Sequence, residues 1–350
     1  MGVISDCADK FIARDARCKY TASLFEVSEI KSETQISASE EAPVVSRNEH
    51  NSSSRRSIDM AAINSPFRYA GGKFYARKLI LEHIAPHSFY IEPFAGGGSI
   101  FFAKPKVTCN QLNDVDPELM NCYLHIRDHV EKLIALLHGQ EASKEKHHFF
   151  KNIYQPTNDL ERAFRWYYLN RTSYSGIMNL ANCYWGYGDK YSMQPKNWPA
   201  HLRRCSLKLQ DTLLTRLDFA EVIERAPDGA FLFVDPPYFN ADQDKFYTHS
   251  FTRQDHLRLA DTLRRHASHL KFLLTYDNSP EVRALYAWAH CVLEKEWNYT
   301  INRTDDQTKK TTAKGKRYTG KEIFILNYAT ADAAPVVDEP PVLAGFQDDP

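Results

Sequence analysis

The 350-residue chain carries no net charge, 44 lysines and arginines balancing 44 aspartates and glutamates. No global field draws it to nucleic acid, so any basic surface has to be local. It has no C-x-x-C pair, although seven cysteines stand at 7, 18, 109, 122, 183, 205 and 291. A thiolate metal site is therefore disfavoured, no metal is expected, and the cysteines read as reduced cytosolic thiols. No apolar run is long enough to span a bilayer, and the N-terminus lacks the apolar core of a secretory signal. A soluble, cytoplasmic protein is expected. G-x-G-x-x-G and G-x-x-x-x-G-K-[ST] are both missing, which weighs against a dinucleotide or a nucleoside triphosphate as ligand.

What is present is material for a large core, with 43% hydrophobic and 13% aromatic residues. The two ends differ from the middle. Residues 1–61 are rich in Ser, Glu and Ala without a period of 2 or 3.6, and residues 329–350 form a Pro- and Asp-bearing tail. Both are expected to be disordered. Met60 stands just before the first organised sequence and is a candidate start of translation, which the intact mass of the natively expressed protein would test.

Between these ends, strand and helix signals alternate. Short strands are predicted at 88–91, 107–112, 231–234, 271–275 and 322–327. A single amphipathic helix is predicted over 117–138, from Leu119, Tyr123, Ile126, Val130, Leu133 and Leu137, with Pro117 in its first turn. Thr252 and Asp255 have the spacing of a capping box. The alternation predicts an α/β fold with a Rossmann-like, mostly parallel sheet whose ligands lie beyond the carboxyl ends of the strands. Residues 139–215 interrupt the pattern with aromatic, loop-like sequence, and read as an insert in a domain made of 62–138 and 216–328.

Three strand ends carry chemistry. Glu92-Pro93-Phe94-Ala95-Gly96-Gly97-Gly98 follows the first strand, and its glycines let backbone approach a ligand and open a helix whose amides face it. Asp114 ends the next strand, where such folds place an acid that accepts from ribose hydroxyls, so an adenosine-containing cofactor is the better reading. Phe231-Leu232-Phe233-Val234-Asp235-Pro236-Pro237-Tyr238 ends a third strand with a carboxylate, two prolines without amide hydrogens, and an aromatic ring. That is either a rigid turn or an acceptor pair for an exocyclic amine, as on adenine or cytosine, beside a stacking face.

The set Phe67-Arg68-Tyr69-Ala70-Gly71-Gly72-Lys73, then Ile91 to Gly98, then Asn113-Asp114, then Asp235-Pro236-Pro237-Tyr238, resembles in order and spacing the Dam-like, alpha-class DNA adenine-N6 methyltransferases. The resemblance spans about 65–328, Lys321 to Tyr328 looking like the family's closing strand. It implies the S-adenosylmethionine-dependent methyltransferase fold, with 139–215 as a helical and loop-bearing target-recognition subdomain. It implies S-adenosyl-L-methionine as cofactor, bound by Tyr69, Lys73, Phe94, Gly96, Asp114 and Asp235, and Asp235, Pro236 and Tyr238 as catalytic residues. It implies double-stranded DNA as partner, met by a monomer. Tyr69 replaces the tryptophan often found at its position.

Arg162, Arg165, Arg171, Lys190, Lys196, Arg203 and Arg204 in the insert, interleaved with Tyr167, Tyr168, Tyr174, Tyr184, Trp185 and Tyr187, suit phosphate contact, as does a second basic run between Arg303 and Arg317. Asn170 to Asn179 resembles the family's target-recognition hairpin, which makes Arg68, Arg171, Tyr174, Ser175 and Asn179 candidates for contact with DNA. Asn179 stands where GATC-methylating members usually carry Arg, and Arg68 where they carry Lys, so the resemblance leaves the target sequence open between GATC and another.

Overall fold

The computed structural model describes residues 62–190, 192–240, 248–298 and 319–330. Residues 1–61 and 62–350 are separate units, and the elements below belong to the second. The expectations for 1–61, for the tail beyond 330 and for the basic run 303–317 lie outside the described residues.

Runs of Val, Leu, Ile and Phe form seven strands: β1 (Phe89–Glu92), β2 (Cys109–Asn113), β3 (Thr212–Thr215), β4 (Phe231–Val234), β5 (Lys271–Asp277), β6 (Cys291–Asn298) and β7 (Thr319–Leu326). They make one sheet in the order β3-β2-β1-β4-β5-β7-β6. β1 to β5 pair in parallel, and β7 runs antiparallel between β5 and β6. β2 and β4 are buried at every residue, as strands covered by helices on both faces have to be. The mixed α/β architecture has the mostly parallel sheet of an S-adenosylmethionine-dependent methyltransferase fold.

The strand order reverses between β1 and β4. Crossovers lead away to β2 and β3 on one side and to β5 on the other, so a crevice opens beyond the carboxyl ends of β1 and β4. Glu92 to Gly98 leaves β1 into this crevice, and Asp235 leaves β4 into it.

Ten helices flank the sheet among the described residues: α1 (Arg77–His83), α2 (Ser99–Ala103), α3 (Pro117–Asp128), α4 (Val130–Leu137), α5 (Lys144–Asn152), α6 (Asp159–Thr172), α7 (Trp198–Leu209), α8 (Phe219–Glu224), α9 (Arg253–His266) and α10 (Pro280–Leu285). The single helix expected over 117–138 is two. Asp116 caps α3, with Pro117 in its first turn. At His129 the backbone leaves helical geometry (φ −135°, ψ 32°) and α4 begins. No proline or glycine marks that break. The change of direction brings α4 against α7, where Glu131 pairs with Arg203 at 2.7 Å. The capping box at Thr252 and Asp255 forms at the head of α9.

The sequence reading missed β3 and β6. β3 falls within the expected insert, yet it pairs with β2 as the edge of the sheet. Nor is 139–215 chiefly loop, for α5, α6 and α7 occupy much of it. Tyr167, Tyr168 and Trp198 are fully buried core residues, so Tyr167 and Tyr168 are not on the surface expected to meet phosphate. Among the described residues, Cys122, Cys183, Cys205 and Cys291 are free and buried.

Candidate active site

Asp235 is the first residue beyond β4, and its carboxylate is held from two sides. Lys73 Nζ lies 2.6 Å from Oδ1 and donates to Oδ2 at 2.8 Å, while Thr275 Oγ1, from neighbouring β5, donates to Oδ1 at 2.7 Å. Lys73 is only 3% exposed but Asp235 19%, so the ion pair is buried at its lysine end and open at the carboxylate. Lys73 Nζ also donates to Gly71 O at 3.0 Å. The charge is thus oriented before any ligand arrives, as a site that stabilises developing charge requires.

Two prolines follow, with no amide to compete for an acceptor. Tyr238 comes next, half-buried, its ring 4.9 Å from the Lys73 ammonium and 5.9 Å from the ring of Tyr276. Its hydroxyl donates to Glu322 on β7. Asp277, at the end of β5, clamps the outgoing loop, accepting from Phe239 N and Asn240 Nδ2 at 3.0 Å each. Thr275, Asp277 and Glu322 were not singled out in the sequence. The signal available was a polar side chain in each of two predicted strands of Phe, Leu and Ile, Thr275 and Glu322, with Asp277 two residues past the end of the first.

On the β1 side, Gly96 has φ +45°, and a Cβ there would come within 2.8 Å of the Tyr69 ring. Tyr69 therefore lies directly on the glycine turn. The turn is tied to β2 and α3: Ala95 N donates to Asn113 O at 2.8 Å, and Tyr123 hydroxyl donates to Gly96 O at 2.9 Å. Asp114 Oδ2 accepts from Gly96 N at 2.9 Å and Oδ1 from Asp116 N at 3.1 Å. Desolvation by burial raises the Asp114 pKa to about 6, against the lowering effect of those two amides. Part of the residue still faces solvent. Phe94, half-buried, stacks at 5.4 Å on Phe219 and meets Phe251 edge-on. Tyr69, Lys73, Phe94, Gly96, Asp114 and Asp235 thus come together around the crevice. Glu92, by contrast, points into the core, where burial drives its pKa up to about 8 while it accepts from Tyr90 hydroxyl and Phe101 N.

Residues 69–301 match the family described as D12 class N6 adenine-specific DNA methyltransferase. The chain belongs to this family. It is an S-adenosylmethionine-dependent DNA adenine methyltransferase. It is 30% identical over 292 residues to a Type II methyltransferase, M1.LlaDCHI of Lactococcus lactis subsp. cremoris, covering 75% of this chain and 95% of that one. It is 32% identical over 239 residues to the DNA N-6-adenine-methyltransferase of Escherichia phage P1, covering 63% of this chain and 31% of that longer one. Similarity to the DNA adenine methylase of Escherichia coli (strain K12) is 24% over 209 residues, 55% of this chain and 73% of that one. The family implies S-adenosylmethionine as methyl donor and DNA as substrate. No described helix is long and apolar enough to cross a membrane, and no group of three or more His, Cys, Asp or Glu among the described residues could hold a metal.

The methyltransferase carries its remaining candidate residues beside the end of α6. Tyr174 N donates to Tyr184 O at 2.8 Å and Gly186 N to Thr172 O at 2.9 Å, closing a hairpin with Ser173 opposite Trp185. Ser175 (φ 53°) and Gly176 (φ 71°) are both left-handed. Tyr174 and Tyr184 are exposed, and Ser175 and Asn179 are half-exposed. Arg171 sits differently. It is buried, its Nη1 3.5 Å from Pro66 O, and its Nε has no partner among the described residues. Arg68 is half-buried with Nη1 likewise unpartnered, and its backbone is pinned to Asn170. Burial first, and the Arg171 charge second, hold the Arg68 pKa below its ordinary value. Of the basic residues expected to face phosphate, Arg162 pairs with Glu118 and Asp159, Arg165 donates to Phe150 O and Lys151 O, and Arg203 pairs with Glu131.

Proposed function

We propose that this methyltransferase acts on an adenine extruded from double-stranded DNA, with Asp235 and the Pro236 carbonyl accepting hydrogen bonds from N6 and Tyr238 stacking on the base. The observation that carries this reading is the oriented, partly open Asp235 carboxylate at the strand-order reversal. A duplex hides N6, so the base has to leave the stack, at a few kcal/mol that stacking on Tyr238 offsets by about 1–3 kcal/mol. The acceptor pair turns the amine lone pair along the crevice and stabilises the positive charge that grows on N6. Lys73 and Thr275 keep the carboxylate from rotating away.

The glycine cradle fits an adenosine-bearing cofactor. The missing Cβ at Gly96 lets the Tyr69 ring pack on the turn, and Asp114, tied to that turn through Gly96 N, is partly exposed. Tyr69, Lys73, Phe94, Gly96, Asp114 and Asp235 would hold S-adenosyl-L-methionine. When bound, it supplies a methyl group on a sulfonium, an electrophile whose leaving group is a neutral thioether. Alignment of the amine in such a crevice contributes about 7–11 kcal/mol of barrier lowering.

Target recognition is assigned to the hairpin of Tyr174, Ser175 and Asn179, with Arg68 and Arg171 behind it, as part of a recognition subdomain within 139–215. Similarity over 95% of a Type II methyltransferase suits the modification half of a restriction-modification pair. The test is nucleoside mass spectrometry of DNA incubated with the wild-type chain and with Asp235→Ala. N6-methyladenine from the wild type alone is expected; N4-methylcytosine, or retained activity in the variant, would refute the assignment.

A further inference from the structure

We propose that Glu322 is a positioning residue for methyl transfer, anchoring the Tyr238 phenol so that the ring presents one fixed face to the extruded base. This rests on the reading of Tyr238 as the stacking surface.

Glu322 lies on β7 and is 1% exposed, followed along the strand by Ile323, Phe324, Ile325 and Leu326, all fully buried. An apolar side chain would suit that position. Instead there is a carboxyl group with one oxygen accepting from the Tyr238 hydroxyl and the other, Oε1, without a partner among the described residues. A buried carboxyl only half satisfied is costly, and such groups persist where they serve a purpose.

The purpose follows from the backbone that carries Tyr238. Pro236 and Pro237 restrict the chain up to the tyrosine, so the freedom left in the ring is chiefly its own side-chain torsions. Tyr276 (5.9 Å, 34° between planes) and the Lys73 ammonium (4.9 Å) contact the ring. The hydrogen bond to Glu322 holds its far end. A stacking face fixed in this way sets the height and tilt of the base against Asp235, and small displacements there are amplified in rate. The charges facing Glu322 are Lys73, Asp235 and Asp277, with Asp277 on β5 and Lys295 on β6 opposite it in register. Burial outweighs the attraction of Lys73 and raises its pKa to about 8, so a neutral acid that still accepts from the phenol is the principal form at neutral pH.

The experiment is a double-variant cycle with Glu322→Ala, Glu322→Gln and Tyr238→Phe, reading kcat, the KM values for DNA and cofactor, and thermal melting. Glu322→Ala and Tyr238→Phe are each expected to lower kcat about tenfold, the factor for one hydrogen bond, with the cofactor KM unchanged. The pair together should lose about tenfold as well, because both remove the same bond. Glu322→Gln, whose amide oxygen still accepts, should recover most of the rate. Losses that multiply, a Gln variant no better than Ala, or a Tyr238→Phe variant at wild-type rate would each overturn the inference. If Glu322→Ala fails to fold, the Tyr238→Phe and Glu322→Gln results decide the matter. Full activity in Tyr238→Ala would overturn the stacking reading and this inference with it, whereas a multiplying cycle overturns this inference alone.

Discussion

The crevice beyond β1 and β4 and the hairpin beyond α6 are built on opposite terms. In the crevice, the chain itself already holds the polar groups: Asp235 by Lys73 and Thr275, Asp114 by two amides, and the Tyr238 phenol by Glu322. At the hairpin, two arginines each have a buried nitrogen without a partner among the described residues, two tyrosines face outward, and two successive residues have left-handed backbone. On the proposed assignment, the catalytic groups are held in place by the chain, while the hairpin keeps polar groups that the chain does not satisfy among the described residues. A catalytic group gains from being fixed before the reaction, while a recognition surface gains from donors that only the right partner completes.

The largest test of this contrast is Asp235→Ala, which is expected to lower kcat by about 10²–10³-fold or more while DNA binding, followed by fluorescence anisotropy, persists. Equal loss of both would erase the distinction between the two regions. Next is Asp114. With its pKa raised to about 6, the carboxylate is charged above that pH and protonated below it. Cofactor affinity measured by calorimetry should therefore fall as pH drops through about 6, and Asp114→Asn should be about 10- to 100-fold weaker at pH 8 with that pH dependence gone.

Gly176→Ala probes the other side. A Cβ there would lie 2.2 Å from Arg68 O at a φ of +71°. Strain of about 1–3 kcal/mol and the backbone clash should raise the KM for DNA about tenfold and leave cofactor affinity unchanged. The smallest effect concerns stability. Glu322 titrates at about 8 in the fold against an ordinary glutamate value near 4.5. Between those values the folded state binds more protons than the unfolded one, so stability falls as pH rises from about 4.5 to 8. Glu322→Gln should flatten that decline in thermal melts, and an unchanged slope would place the buried charge elsewhere.

Legibility in the sequence followed locality. β4 was predicted at its observed bounds because Phe231 to Val234 is an apolar run closed by Asp-Pro-Pro. β3 and β6 were missed: β3 is a short edge strand with exposed Leu213, and β6 mixes Glu and Lys with its apolar residues. The break at His129 had no local signal, since the packing of α4 on α7 imposes it. Tyr167 and Tyr168, interleaved with basic residues, suited a surface as well as a core, because aromatic residues in a polar neighbourhood fit either, and only burial separates the two.

By itself, the sequence determined the chemistry on offer: a glycine turn, an acid after the second strand, and a carboxylate followed by two prolines and a tyrosine. Each is a set of covalent neighbours whose geometry follows from strand ends and proline. The tertiary structure alone decided what those groups rest on. Thr275, Asp277 and Glu322 are 40, 38 and 84 residues from their partners Asp235, Phe239 and Tyr238. They reach them because β5 and β7 lie on that side of β4, a juxtaposition set by burial of the sheet's two faces.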